Sequence, residues 1–215
     1  MPELSGRTEN FTDSVIRRMT RVSLQYGAVN LSQGFPDFDP PKEILDRLAE
    51  VAHEDYHQYS ITWGAQNCRE ALAEKQSKFM GRSIDPNSEI VVTCGSTEAM
   101  MAAMMTVTDP GDKVIVQSPV YYPFARSVRT SGRTLLDNPL IIKDGRYQMD
   151  LESLEAQLDD SVKMILLCSP HNPVGRVWSR EELEALAKLC LEHHILIVSD
   201  EVHADLLFEG SKHTC

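Results

Sequence analysis

Two acids and a histidine follow a short apolar run near the end of the chain. The run is Ile195 to Val198, and Asp200, Glu201 and His203 come directly after it. Four consecutive apolar residues predict a buried strand, so these polar side chains lie where that strand emerges. A carboxylate at the end of a buried strand is costly unless a cation pairs with it. Asp200 therefore predicts an Arg or Lys partner, a cap on the following turn, or the protonated nitrogen of a bound pyridine ring.

The run at Ile195 is the last of several short apolar segments, and helical segments stand between most of them. The clearest helix begins at Ser179, where Ser-Arg-Glu-Glu is a capping-box pattern. Strands that alternate with helices indicate right-handed crossovers and a mostly parallel sheet that is covered on both faces. We therefore predict an α/β fold with three layers. The predicted strands are EIVVT, KVIVQ, TLLDNPLII, KMILLC and ILIVS.

The residues before Glu89 have a different pattern. Helical spacing covers residues 12–24 and 42–53, a third helix is predicted after Gly64, and the intervening VNLSQGFPDFDPP is loop-like. We therefore predict an amino-terminal arm and loop at residues 1–45, followed by the main domain at residues 46–215.

Composition and charge narrow the kinds of partner. The 215 residues are 42% hydrophobic and 25% charged, which is ordinary for a globular protein. A formal net charge of -11 argues against nucleic acid and anionic membrane surfaces as partners. The first residues lack the apolar core of a secretory signal, and no apolar run approaches the ~20 residues of a membrane span, so a cytoplasmic location is expected. The widely spaced cysteines suggest neither a zinc knuckle nor a disulfide framework, and Cys94, Cys168 and Cys190 are expected to be buried.

Ligands of an open α/β sheet bind beyond the carboxyl ends of its strands, so the residues that follow each strand are candidate site residues. Gly95, Ser96 and Thr97 follow EIVVT and begin a helix. Free backbone N–H groups, the positive end of the helix dipole and two hydroxyls would suit a phosphate there. Taken alone, a helix cap with a glycine turn explains the same residues more simply.

Two further motifs follow KVIVQ and KMILLC. Tyr121 and Tyr122 could stack on a planar ring or simply pack. Asn172 lies in HNPVG, which is also a natural turn. Each of these motifs is weak evidence alone. Taken together, a phosphate-binding turn, an aromatic ring, an amide and an acid in this order make one coherent site. The ring whose nitrogen Asp200 would hold is then that of pyridoxal 5'-phosphate.

Along essentially the whole chain these motifs resemble the fold-type I pyridoxal-phosphate enzymes of the class I and II aminotransferase family. The resemblance implies the three-layer, mostly parallel large domain of such an enzyme, in incomplete form, with an amino acid as substrate and a homodimer as assembly. It also implies a role for each motif residue. Gly95, Ser96 and Thr97 bind the phosphate, Tyr121 stacks on the ring, Asn172 bonds the ring hydroxyl, Asp200 holds the pyridinium nitrogen, His203 takes the place of a tyrosine that reaches the ring hydroxyl, Tyr59 reaches the neighbouring subunit's phosphate, and Gly34 lines the substrate carboxylate pocket.

The two halves of the chain resemble different subfamilies, and the change falls near Gln117. NLSQGFPDFDPP resembles amino-acid aminotransferases, whereas SPVYYPF and SDEVHADL resemble C–S lyases of the cystathionine β-lyase type. A hybrid gene or a lineage that mixes both patterns would explain the change. Because His203 follows the lyase pattern, we expect a β-eliminating C–S lyase. The alternatives are an amino-acid aminotransferase and a non-catalytic module that binds the cofactor.

The resemblance also places important residues beyond the printed sequence. The Schiff-base lysine of the family follows the DEVH strand, and the sequence ends at Cys215 before that motif. Lys212 does not match the motif, so no catalytic residue is assigned. Two further strands would lie between EIVVT and ILIVS, and a small domain would follow. We therefore expect these residues alone to be inactive and, through unpaired strand edges, prone to aggregation.

Overall fold

The computed structural model describes most of the chain, namely residues 5–8, 13–34 and 36–215. The chain divides into two compact units, Met1–Thr62 and Trp63–Cys215. A short 3-10 helix at Gly6–Thr8 lies in the first unit. Each unit has its own organisation, and the polar motifs that follow the predicted strands lie in the second.

The first unit contains two amphipathic helices. Helix α1 spans Val15–Tyr26 and ends at Gly27, whose φ of 60° is left-handed, and α2 spans Lys42–Val51. Neither helix has a buried residue, and Leu24 is 78% exposed. The predicted helices at residues 12–24 and 42–53 are confirmed to within a few residues, although residue 12 lies outside the described residues. The domain boundary predicted at residue 45 falls inside α2 and stays a prediction.

The second unit alternates helices with strands. Its helices are α3 (Gln66–Met80), α4 (Ser96–Val107), α5 (Pro123–Thr130), α6 (Leu151–Glu155) and α7 (Arg180–Glu192). Its strands are β1 (Lys113–Val116), β2 (Thr134–Asp137), β3 (Ile141–Lys143), β4 (Arg146–Gln148), β5 (Val162–Cys168) and β6 (Leu196–Asp200). Four strands form a parallel sheet in the order β2-β1-β5-β6, and β3 and β4 form a separate antiparallel pair. No helix among the described residues is long and apolar enough to cross a membrane.

Side chains of the sheet alternate between two hydrophobic cores, one on each face. In β1, Val114 faces one core and Ile115 the other, and in β5 Met164 and Ile165 divide in the same way. The α4–α5 core consists of Met100, Met104, Val114, Val116, Phe124, Val128, Met164, Leu166 and Cys168. The α7 core consists of Ile115, Leu140, Leu154, Val162, Ile165, Leu167, Trp178, Leu186, Leu189, Cys190 and Ile195. Helices therefore cover both faces of the sheet, and the predicted three-layer α/β fold is confirmed.

The first predicted strand, EIVVT, is wrong. Residues 89–93 form no strand, and the N–H of Val92 donates to the carbonyl of Trp63 at 2.9 Å. Val91 is 58% exposed and Val92 is 41% exposed. An apolar run becomes a strand only when a neighbour pairs with its backbone, and no described strand lies beside this segment. The apolar composition of the run predicted burial and strand pairing, and the described structure shows neither.

The predicted strand TLLDNPLII is also corrected, because it is two strands in different sheets. β2 ends at Asp137, and β3 begins at Ile141 after Asn138 and Pro139. Proline lacks the N–H that a continued ladder needs. The Asn138 side chain is fully buried and donates to the carbonyl of Asp150 at 3.1 Å. This turn directs the chain from the parallel sheet into the β3–β4 pair.

The cysteine predictions are confirmed at two positions and wrong at one. Cys168 and Cys190 are buried, and burial raises the pKa of each thiol to about 11. Cys94 is exposed, because it follows the unpaired EIVVT segment rather than a strand of the sheet.

The amino terminus of α7 is held by the predicted capping box. The Ser179 hydroxyl accepts from the Glu182 N–H at 3.2 Å, and the Glu182 carboxylate accepts from the Ser179 N–H at 2.8 Å. Arg176 pairs with Glu182 at 2.6 Å and donates to the carbonyl of Tyr147 at 2.6 Å. Its guanidinium lies 4.8 Å from the ring centre of Trp178. The cap therefore joins α7 to β4 and to the α7 core.

Replacing Ser179 with Ala should lower the free energy of unfolding by about 1 kcal/mol, because the Glu182 N–H in the first turn of α7 loses its side-chain acceptor. Ser179→Thr keeps the hydroxyl and should stay close to wild type. Urea unfolding measures both, with Ser211→Ala as a control at an exposed serine that caps no helix. Equal midpoints for Ser179→Ala and Ser211→Ala would contradict the role of the cap.

Candidate cofactor site

The carboxyl ends of β1, β5 and β6 lie at one edge of the sheet. The strands are parallel, and their register pairs Val116 with Leu166 and Cys168 with Asp200. The N–H of Ser169 donates to the carbonyl of Asp200 at 3.0 Å, directly beyond the last pair. The loops that follow these three strands therefore share one edge, as the sequence predicted for their polar residues.

Helix α4 runs antiparallel to the strands, from this edge towards the opposite one. Beyond its last turn, Thr108 accepts from the Arg133 guanidinium at 2.9 Å, next to the start of β2. From there α4 passes along the α4–α5 core through Met104 and Met100. Its 12 residues span about 18 Å, which is enough to cross the sheet. The first turn of α4, at Ser96, therefore lies at the carboxyl edge.

The start of α4 has the form of an anion site. Gly95 has φ 82° and ψ 168°, a conformation that favours glycine, and no side chain caps the helix. Glu98 turns back to accept from the Cys94 N–H. The N–H groups of Ser96 and Thr97 belong to the first turn, where helices leave donors unsatisfied and the dipole is positive. Both side chains are exposed, so these groups are open to a phosphate.

The Asp200 carboxylate has no cation beside it in the part of the chain that the structure describes. One carboxylate oxygen accepts from the N–H of Val202 at 3.1 Å, so the turn cap among the predicted alternatives is present. Among the described residues no Lys, Arg or His nitrogen lies within 4.0 Å of the carboxylate, which removes the ion pair. The side chain is half-buried, and its second oxygen has no hydrogen bond within the described part of the chain. That oxygen is suited to a protonated ring nitrogen.

The thiol of Cys168 lies between Asp200 and Asn172. It accepts from the N–H of Asn172 at 3.4 Å. Burial raises the pKa of this thiol to about 11, and the Asp200 carboxylate adds to the rise. Cys168 is therefore neutral at physiological pH and belongs to the α4–α5 core. The Asp200 carboxylate and the Asn172 backbone thus lie beside one uncharged core residue, on the same face of the sheet as α4.

Tyr121 lies over the same core. Its ring contacts Phe124 edge-on, with centroids 6.5 Å apart, and Tyr122 at 5.5 Å. Phe124 belongs to the α4–α5 core, whereas Tyr121 remains 37% exposed. Tyr121 therefore packs on one side and leaves part of its ring open to a planar ligand.

A group of buried polar atoms at this edge was not predicted as part of the site. Gln117 Oε1, Ser169 Oγ and both ring nitrogens of His171 are buried and have no hydrogen bond among the described residues. Burial lowers the pKa of His171, which favours its neutral form, and its ring packs edge-on against Trp178 at 5.6 Å. The sequence feature that could have indicated these residues is a polar residue directly after each buried strand. Buried polar atoms of this kind commonly hold ordered water.

No described contact joins three of the predicted residues to the candidate site residues above. Tyr59 and Gly34 lie in the first unit, and the Tyr59 side chain is fully exposed. His203 is half-buried in the turn after β6, where its carbonyl accepts from the N–H of Leu206 at 2.9 Å. Their contacts with cofactor and substrate stay predictions, as does the absence of a role for the exposed Lys212.

Relatives of this chain include both lyases and aminotransferases. The chain is 44% identical over 179 residues to cystathionine beta-lyase PatB of Bacillus subtilis, covering 83% of this chain and 46% of that protein. It is 34% identical over 200 residues to methionine aminotransferase of Escherichia coli, covering 93% of this chain and 51% of that protein. The chain therefore spans about half the length of the curated relatives it matches.

Solved structures of similar enzymes superpose on this chain. N-succinyldiaminopimelate aminotransferase from Mycobacterium tuberculosis superposes with a TM-score of 0.92 at 30% identity, covering 98% of this chain and 55% of that one. Cystalysin from Treponema denticola, whose structure contains a pyridoxal 5'-phosphate cofactor, superposes with a TM-score of 0.82 at 30% identity, covering 100% of this chain and 54% of that one. The family model for aminotransferase class I and II matches residues 26–214. The chain therefore belongs to the aminotransferase class I and II family.

Proposed function

We propose that this chain forms the cofactor-binding part of a pyridoxal-phosphate-dependent C–S lyase of the cystathionine β-lyase type. The family consists of enzymes that depend on pyridoxal 5'-phosphate. The observation that supports cofactor binding is the half-buried Asp200 carboxylate, which has no Lys, Arg or His nitrogen within 4.0 Å among the described residues. A carboxylate in that position gains most from a ligand that brings its own positive charge.

The residues at the carboxyl edge fit the two charged ends of this cofactor. The first turn of α4 offers the N–H groups and hydroxyls of Ser96 and Thr97 to the phosphate. Asp200 holds the proton on the pyridine nitrogen. The open part of the Tyr121 ring packs on the cofactor ring. Asn172, anchored to Cys168, donates to the ring hydroxyl.

When bound, pyridoxal 5'-phosphate supplies an electron sink for charge that develops at the α-carbon of an amino acid. The chain supports this chemistry by keeping the pyridine nitrogen protonated, because the Asp200 carboxylate stabilises the positive charge. The neutral Cys168 beside it adds no second charge. No residue of this chain is assigned the Schiff-base role.

The lyase assignment has its support in the carboxyl-terminal half of the chain. His203 follows Asp200 in the lyase pattern, and cystathionine beta-lyase PatB is 44% identical to this chain. Such a lyase breaks the Cβ–S bond of cystathionine, and with one water the products are homocysteine, pyruvate and ammonia. An amino-acid aminotransferase is the second candidate, supported by the 34% identity to methionine aminotransferase. That enzyme class instead passes the amino group to a keto acid.

The proposed assembly is a homodimer. Tyr59 is fully exposed and forms no side-chain hydrogen bond among the described residues, so it is available to the phosphate site of a second copy.

A module that binds the cofactor without turnover remains the third candidate, because the contacts above need no lysine of this chain.

Asp200→Asn should weaken binding of pyridoxal 5'-phosphate by about 10-fold to 100-fold, because a charge-assisted hydrogen bond contributes roughly 1.5–3 kcal/mol. Equilibrium dialysis of the chain against the cofactor measures the affinity. Asp160→Asn, at an exposed aspartate before β5, is the matched control and should bind as wild type. An unchanged affinity in Asp200→Asn would refute the pyridine contact.

Thr97→Ala should weaken binding of pyridoxal 5'-phosphate by about tenfold while leaving binding of pyridoxal, which lacks the phosphate, unchanged. Thr106→Ala removes the same hydroxyl from the last turn of α4 and serves as the control. In the structure the Thr106 hydroxyl only donates to the carbonyl of Ala102, at 2.7 Å. If Thr97→Ala weakened both ligands equally, the residue would not contact the phosphate.

The lyase assignment predicts pyruvate from cystathionine without an added keto acid. Because the resemblance places the lysine beyond Cys215, the assay uses this chain continued by the carboxyl-terminal half of PatB. Absorbance of bound cofactor shows that this protein is assembled, and a variant without the lysine is the blank. Turnover that appears only with a keto acid would assign the site to the aminotransferase class.

A further inference from the structure

Glu201 lies on the other face of the sheet from Asp200. In β6, Val198 packs against the α4–α5 core and Ile197 against the α7 core. Because side chains alternate along a strand, Asp200 continues the first direction and Glu201 the second. Glu201 borders a cavity of about 230 Å³ beside α7. It is therefore separated by the sheet from the proposed cofactor site.

Cys215 also lines this cavity, and His213 lies next to both residues. One donor atom from each residue, a carboxylate oxygen, an imidazole nitrogen and the thiol sulfur, lies within 4.8 Å of the other two. The His213 side chain is 1% exposed, and its ring stacks on Phe79 with centroids 5.9 Å apart. Glu201 is held from its other side, where Oε1 accepts from the Ser199 hydroxyl at 3.0 Å. Two of the three donors are thus fixed by the fold.

A simple ion pair does not explain this arrangement. Nε2 of His213 lies 3.2 Å from Oε2 of Glu201, yet neither ring nitrogen of His213 forms a hydrogen bond among the described residues. A buried imidazole without any hydrogen bond is costly. Among the described residues no Lys or Arg nitrogen lies within 4.0 Å of the Glu201 carboxylate, so a cation that all three groups could share would satisfy them.

We propose that Glu201, His213 and Cys215 bind a zinc ion, with water as the fourth ligand. Sulfur, imidazole nitrogen and carboxylate oxygen together are a donor set typical of Zn²⁺, whereas Mg²⁺ and Ca²⁺ select oxygen. Zinc bonds of roughly 2.0–2.3 Å place tetrahedral ligands about 3.3–3.8 Å apart. The donors must therefore approach by about 1 Å, and the exposed Cys215 is free to make that movement.

The ion would fasten the segment after β6 to the sheet. Residues 213–215 would be joined through the metal to Glu201 at the end of β6, and through the His213 ring to Phe79 of α3. This role does not rest on the proposed function, since the two sites lie on opposite faces. Loss of cofactor binding and loss of zinc binding are therefore separable results.

Titration of the chain with Zn²⁺ against a chromophoric chelator tests the proposal. We expect one zinc per chain, and we expect Co²⁺ to give the thiolate-to-metal charge-transfer absorption of a cysteine ligand. Cys215→Ser should abolish that absorption and weaken zinc binding by about tenfold or more, and Glu201→Gln should weaken it similarly. The controls are Cys94→Ser and His194→Asn, which alter the same residue types at exposed positions elsewhere.

Three results would overturn the proposal. They are no stoichiometric zinc, zinc binding in Cys215→Ser equal to wild type, and equal losses in the control variants. The test rests on Cys215→Ser and Glu201→Gln, because His213 is buried and its replacement could disturb packing. Far-ultraviolet circular dichroism of each variant confirms that it is folded.

Discussion

The second unit depends on the two-sided burial of β1 and β5. Each strand sends alternate apolar side chains into opposite cores, so each is satisfied only when helices cover both faces. This requirement places α4 and α5 on one face and α6 and α7 on the other. It also brings the carboxyl ends of three parallel strands to a single edge. The candidate site depends on this arrangement, since Asp200 ends β6 and Asn172 lies in the loop that follows β5.

Local patterns in the sequence predicted local structure well. The capping box at Ser179 and the helix start at Ser96 need only neighbours within a few residues, and both are present. Asp200 was also predictable, because an acid directly after an apolar strand demands an explanation in any fold. In each case the physical cause lies within a few residues of its effect.

Features that depend on distant parts of the chain were not predictable in the same way. EIVVT has the composition of a strand, but pairing depends on a neighbour that local composition does not specify. Cys94 is exposed for the same reason, because the segment before it pairs with no strand. The buried polar atoms of Gln117 and His171 come together only because β1 and β5 are adjacent, and that adjacency is a property of the topology.

Arg133 contacts the carboxyl end of α4, the end opposite to the first turn at Ser96. Its buried guanidinium donates to both the carbonyl and the hydroxyl of Thr108 and to the carbonyl of Ser131, with no carboxylate in the contact. A cation thus sits at the negative end of α4, and the open N–H groups of Ser96 sit at its positive end. Arg133 thereby holds the carboxyl end of α4, at the edge of the sheet opposite to Ser96. A substitution at Arg133 would act on the proposed phosphate site through the helix, without contact with the ligand.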